Sequence, residues 1–69
     1  MHLDKIIRER RQLLEITQQE LADISGIALR TIKQLEKGDE ANPSLKTTTK
    51  ILSAMGLELI IKVKNSERL

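Results

Sequence analysis

The chain contains no cysteine, tryptophan, tyrosine or phenylalanine, and a single histidine. Without cysteine there is neither a disulfide framework nor thiolate chemistry, which fits a reducing compartment. Without aromatic rings there is nothing on which to stack unpaired bases, so a nucleic-acid partner, if there is one, is expected to be a duplex. His2 lies in a terminus expected to fray, and no Gly-rich phosphate loop or His–carboxylate metal spacing is present. The carboxylates fall on charged helical faces, where solvation accounts for them. No catalytic set, metal or cofactor is therefore expected, and the chain does not read as an enzyme. Apolar runs are too short for a signal peptide or a membrane span, so a cytoplasmic protein with no membrane partner is expected. Sixty-nine residues make one domain, and a domain this small buries only about 60% of its unfolded surface, so association with another copy would supplement its core. Twelve Lys/Arg against ten Asp/Glu give a net charge of +2. An excess that small says little, so the placement of the cations has to carry the argument.

What is present concentrates between Thr17 and Gly38, in TQQELADISGIALRTIKQLEKG. Thr17 followed three residues later by Glu20 is a capping box that opens a helix. Leu21, Ala22 and Ile24 supply its buried side, and Ile16, just before the cap, is placed as a hydrophobic staple onto Leu21. Gly26 is suited to the left-handed conformation that ends a helix in a sharp turn. Ile27, Thr31, Ile32 and Leu35 then recur at three and four residues, the spacing of one face of a second helix, which Gly38 stops.

Leu29, Arg30, Lys33, Gln34 and Lys37 project from the opposite face of that second helix, one leucine and one amide among three cations. A cationic helical face taken alone is usually just solvated. Here it belongs to the second of two helices joined by a Gly-containing turn, which is the helix-turn-helix arrangement. Arg and Gln bond bidentately to purine edges in the major groove, cations neutralise phosphates, and a leucine meets a thymine methyl.

Gln18, Ala22, Gly26, Ile32, Leu35, Glu36 and Gly38 together resemble the helix-turn-helix of the Cro/XRE family of small lambda-repressor-like domains, over roughly residues 3 to 55. The resemblance implies an all-α domain of about four helices that binds double-stranded DNA and regulates transcription. It implies DNA contacts from Thr17, Gln18, Ala28, Leu29, Arg30, Lys33, Gln34, Ser44 and Lys46. Gln18, with Thr17 and Gln19 at a helix N-terminus, is expected to clamp a phosphate; an ordinary exposed glutamine is the alternative. Ala28 stands where relatives carry a Ser or Thr cap, Leu29 where they often carry a polar residue, and Glu15 where many carry Gly or a basic residue. Glu15 is thereby expected to bring an acid near the DNA side.

Upstream, residues 3 to 14 read as helix 1, with Leu3, Ile7 and Leu14 on one face and Ile6 and Leu13 beside it. Asp4 near its start and Arg8, Arg10 and Arg11 further on suit its dipole. Arg11 falls on the apolar face, where an arginine is costly unless paired; the resemblance implies Glu36 as its partner, and snorkelling to water is the alternative. Downstream, residues 38 to 43, GDEANP, read as a turn in which Asp39 and Glu40 carry negative charge towards the DNA side or outward. Ser44 caps a fourth helix running to Met55 with Leu45, Thr48, Ile51, Leu52 and Met55 at helical spacing, and Lys46 in its first turn offers a second phosphate site. Thr47, Thr48 and Thr49 lower its helix propensity, so packing must compensate.

After Gly56 the period changes to two. Leu57, Leu59, Ile61 and Val63 alternate with Glu58, Lys62 and Lys64, while Ile60 interrupts the polar face, so residues 57 to 64 read as a β-strand. No second strand exists in the chain, and pairing with its own copy across a two-fold axis would satisfy its backbone, making Leu57, Leu59, Ile61 and Val63 a dimerisation set. The organisation expected is a DNA-binding domain at 1–56, a dimerisation strand at 57–64 and a loose tail at 65–69. A helix-turn-helix followed by a Leu-Glu-Leu strand is similar to the HipB-like antitoxins, which implies a homodimer on a palindromic operator and a kinase-like, HipA-type toxin as partner. A stand-alone or phage-type repressor would carry the same reading residues, and a protein-binding module that has lost DNA binding is the further alternative.

Overall fold

The computed structural model describes residues 2–39 and 43–64. Four helices follow one another: α1 (Leu3–Leu13), α2 (Gln18–Ser25), α3 (Leu29–Lys37) and α4 (Leu45–Ala54). Helix α3 packs on α1 and α2, and α4 packs on α2. One core lies among them, built from Ile7, Leu21, Ala22, Ile32, Leu35, Ile51, Leu52 and Met55. Each of these was placed on a buried face by spacing alone. Ile16, half-buried against this cluster, occupies the staple position.

The same device ends all four helices. Glu15, Gly26, Gly38 and Gly56 have φ of 57°, 74°, 79° and 74°. The amides that follow fold back onto the last turn, as in Ile16 N–H to Arg11 O, Asp39 N–H to Gln34 O and Leu57 N–H to Leu52 O, at 3.2, 3.0 and 2.8 Å. These are Schellman closures, and Gly26 N–H to Ala22 O is the simpler αL closure. Three of the four positions avoid the clash of a Cβ with the neighbouring carbonyl by being glycine, whereas Glu15 accepts it. The sequence flagged Glu15 for its charge; its backbone is the larger consequence. Relief of about 1–2 kcal/mol of left-handed strain, less the roughly 0.5–1 kcal/mol by which glycine loosens the unfolded chain, predicts that Glu15→Gly stabilises the domain by about 0.5–1 kcal/mol. Urea denaturation measures this, and a lower midpoint for the variant would show the strain to be absent.

Several side chains expected inside lie outside. From α1 only Ile7 is buried; Ile6, Leu13 and Leu14 are exposed. Leu13 is the last residue of α1 and Leu14 its C-cap, while Ile6 is turned about 100° around the helix from the buried Ile7. Ile24 is 59% exposed and edges a shallow groove whose far wall is Thr49, Lys50, Ser53 and Ala54. The short side chains of Ser53 and Ala54 do not reach across to cover it. Leu45 is exposed because it is the first residue of α4, outside the core layer.

No strand is present among the described residues, and residues 57–63 carry no regular structure. Leu57 and Leu59 rest half-buried on the core, as the alternation expected. Ile61 and Val63 do not: they are 80% and 60% exposed, and Ile60 is exposed beside them. A strand is defined by its ladder, and a single chain offers this segment no partner. Glu40, Ala41 and Asn42 of the expected turn, and the expected tail at 65–69, lie outside the described residues.

Candidate nucleic-acid interface

Thr17 caps α2 as its sequence required. Its hydroxyl accepts from Glu20 N–H at 3.0 Å, and the Glu20 carboxylate accepts from Thr17 N–H at 2.9 Å. The amide protons of Gln18 and Gln19 remain at the open end of the helix. Their side chains are engaged elsewhere, Gln18 donating to Glu36 Oε1 at 3.3 Å and Gln19 to Asp23 Oδ1 at 2.9 Å. The Gln18 side chain is half-buried and bonded to Glu36, while its backbone amide stays at the open end of α2.

Helix α3 starts from Ala28, whose methyl side chain makes no cap bond, so the N–H groups of Leu29 and Arg30 have no capping acceptor. Leu29, Arg30, Lys33, Gln34, Lys37 and Asp39 line an open groove of about 480 Å³ along the outer side of this helix. Arg30, Lys33 and Lys37 are exposed, and Gln34 is half-buried between them. Leu29 departs from its expected place: it is half-buried and packs on the core, leaving only part of its side chain to the groove. Among the described residues the one ion pair is Arg11–Glu36, so none of the three groove cations is paired with a described carboxylate. Asp39 is the one acid among the described residues that line the groove. Ser44 caps α4, accepting from Thr47 N–H at 3.0 Å and donating to the Thr47 hydroxyl at 2.9 Å. Lys46 is exposed in the first turn that follows.

The groove is held by a buried polar cluster. Arg11 Nε and Nη2 donate to Glu36 Oε2 and Oε1 at 2.8 and 2.9 Å, and Arg11 Nη1 donates to the Ile16 carbonyl at 3.0 Å. The pair is bidentate, with side-chain exposures of 15% for Arg11 and 5% for Glu36. Hydrogen bonding to Glu36 raises the Arg11 guanidinium above its usual value, and burial opposes that shift. Arginine on the apolar face of α1 is therefore paired and not snorkelling. Glu36 is on α3, so α1 is tied directly to the helix that carries the groove.

Two further arginines act in a way the sequence reading missed. Arg8 Nη1 donates to the Glu36 carbonyl at 2.9 Å and Arg10 Nε to the Met55 carbonyl at 3.0 Å. Both were assigned to the dipole of α1 itself, yet they cap the C-terminal ends of α3 and α4. The available signal was that two helices ending at Gly38 and Gly56 expose carbonyls that need donors, and three guanidiniums lie on one neighbouring helix.

Among the described residues there is no cluster of His, Cys, Asp or Glu able to hold a metal ion, and no helix is long and apolar enough to cross a membrane. The family model described as "Helix-turn-helix" matches residues 7–61. An uncharacterized HTH-type transcriptional regulator of Methanothermobacter thermautotrophicus is 46% identical over 55 residues, covering 80% of this chain and 78% of that protein. Another, from Haemophilus influenzae, is 41% identical over 59 residues, covering 81% of this chain and 59% of that protein. No solved structure matches the chain significantly.

Proposed function

The chain belongs to the Cro/XRE-type helix-turn-helix family of transcriptional regulators, and we propose from that membership that it is a repressor reading duplex DNA with α3 in the major groove. The observation that carries the reading is the groove of Arg30, Lys33, Gln34 and Lys37, cationic, open and held in no ion pair with another described residue. A helix with such a face fits the major groove, and Gln34 and Arg30 are its candidates for base edges. The first-turn amides of α2, at Gln18 beside the Thr17 cap, and of α4, at Lys46 beside the Ser44 cap, supply phosphate contacts on either side. Ala28 and Leu29 lie at the entry of α3, where the backbone N–H groups have no capping acceptor and part of the leucine lines the groove. In this reading Gln18 serves by its backbone amide while its side chain braces Glu36.

The regulator works as a two-fold dimer on a palindromic operator, joined by pairing of the arm at residues 57–63. Exposed Ile60, Ile61 and Val63 support this, since they are apolar side chains left uncovered on a segment whose backbone has no ladder. The Leu57-Glu58-Leu59 arm also favours a finer reading, an antitoxin that represses its own promoter together with a kinase-like, HipA-type toxin.

In a mobility shift with duplexes selected from a random pool, Arg30→Ala and Gln34→Ala are expected to lose about 1–3 kcal/mol of discrimination at defined base pairs. Lys33→Ala and Lys46→Ala are expected to weaken all sequences alike and flatten the salt dependence. Equal binding of wild type to selected and scrambled duplexes at physiological salt would reject base reading, and no binding to either would leave a protein-binding module as the function.

A further inference from the structure

Arg10 lies on the scaffold helix α1, and its bond falls at the point where the helical domain becomes the arm. Its Nε donates to the Met55 carbonyl, and its Nη2 stands 3.5 Å from where a Cβ on Gly56 would sit. At that junction the backbone is closed by Leu57 N–H to Leu52 O at 2.8 Å and Gly56 N–H to Ser53 O at 3.1 Å. Leu57 and Leu59 then seat the arm on the core, and exposure begins at Ile60. Arg8 and Arg11, on the same helix, hold the carbonyl and the carboxylate of Glu36 on α3. One helix therefore grips both the end of the reading helix and the base of the arm.

We propose that Arg10 is a positioning residue that sets the direction in which the arm leaves the domain, and with it the half-site spacing that the dimer accepts. The inference rests on the dimer reading above. A guanidinium suits the task because its planar fork fixes the direction of the bond it donates, while an ammonium on a flexible stem does not. With the fork removed, the Met55–Gly56 peptide keeps only the backbone bonds of the helix end, Gly56 N–H to Ser53 O and Leu57 N–H to Leu52 O, and loses the side-chain bond that ties the base of the arm to α1. The two α3 helices of a dimer then have no single separation. Contacts within each half-site are untouched, because Arg10 is remote from the groove residues in both sequence and bonding.

The test uses full-length protein and a duplex selected by wild type from a random pool, with its half-sites then moved apart or together by single base pairs. Wild type is expected to bind one spacing best. In Arg10→Ala and Arg10→Lys that preference should shrink by about tenfold, the scale of one charge-assisted hydrogen bond, with affinity for a single half-site unchanged. Ile51→Val, which thins the same core without touching the junction, should lose stability and keep the spacing preference. If Arg10→Ala fails to fold by circular dichroism, Arg10→Lys and Arg10→Gln carry the measurement. A dimeric Arg10 variant with the wild-type spacing preference would overturn the inference and leave the dimer reading standing. Monomeric wild type on sedimentation would overturn both.

Discussion

Arg11→Met is expected to cost about 3–5 kcal/mol of folding stability, because it leaves the Glu36 carboxylate buried without its cation. A domain of this size has only about 5–10 kcal/mol to lose, so the variant should unfold at a much lower urea concentration than wild type. The geometry predicts an asymmetry between the partners. Glu36→Leu leaves Arg11 with the Ile16 carbonyl at 3.0 Å and some access to water, since its side chain is the more exposed of the two. Arg11→Met leaves Glu36 only the longer, neutral bond from Gln18 at 3.3 Å. The arginine substitution should therefore be the more damaging. Replacing both by apolar residues should recover most of the loss, apart from the unmet Ile16 carbonyl and Gln18 amide, at about 1 kcal/mol each. Urea denaturation of the two single variants and the double variant measures the coupling, and additive losses would show that the pair contributes nothing as a pair.

That pair also shows how far the sequence is legible. Arg11 was recognisable as anomalous because a cation four residues after Ile7 and three before Leu14 falls on an apolar stripe. Spacing could say that it needed a partner, but the identity of the partner came only from the likeness to a family. Where a position is decided by local chemistry, the sequence reading agrees with the structure: the Thr17–Glu20 box, the glycine ends at 26 and 38, and the eight core residues. Disagreement occurs where a neighbouring element decides. Ile24 has an apolar residue's place on α2, yet Ser53 and Ala54 opposite are too short to cover it. Leu29 looks like an outward residue by helical phase, but it is at the first turn, where the chain bends in from Ile27 and carries it onto the core.

The candidate interface was legible to a similar degree and for the same reasons. The outer face of α3 follows from helical phase, so Arg30, Lys33, Gln34 and Lys37 lie together as expected. Gln18 carries a side-chain bond that local spacing does not reveal, because its acceptor lies eighteen positions away. Its amide completes the hydrogen bonding of Glu36, so it joins the start of α2 to the reading helix. Arg8 and Arg10 were overlooked because a cation's value to a helix end is usually counted within one helix, whereas here the ends belong to neighbours.

The largest functional effect is expected from the arm. Truncation after Gly56 would remove both the exposed residues and Leu57 and Leu59, which pack on the core, so lost binding could follow from lost stability. Ile61→Lys with Val63→Lys separates the two, since both side chains are largely exposed in the single chain and their replacement should change its stability by no more than about 0.5 kcal/mol. If they are covered in a dimer, two charges would be buried in its interface, and the pair of reading helices would be uncoupled. Each helix reads only a few base pairs, and half-sites one helical turn apart, ~34 Å, are engaged together only when the subunits are joined. Linking two such sites raises apparent affinity by about 10²–10⁴-fold, so the double variant should bind a palindromic duplex weaker by that factor and a single half-site unchanged. Sedimentation at micromolar concentration should find wild type as a dimer and the variant as a monomer. Wild-type affinity for the palindrome in a variant with unchanged folding would place the two-fold contact elsewhere on the molecule, with exposed Leu13 and Leu14 at the end of α1 the next surface to substitute.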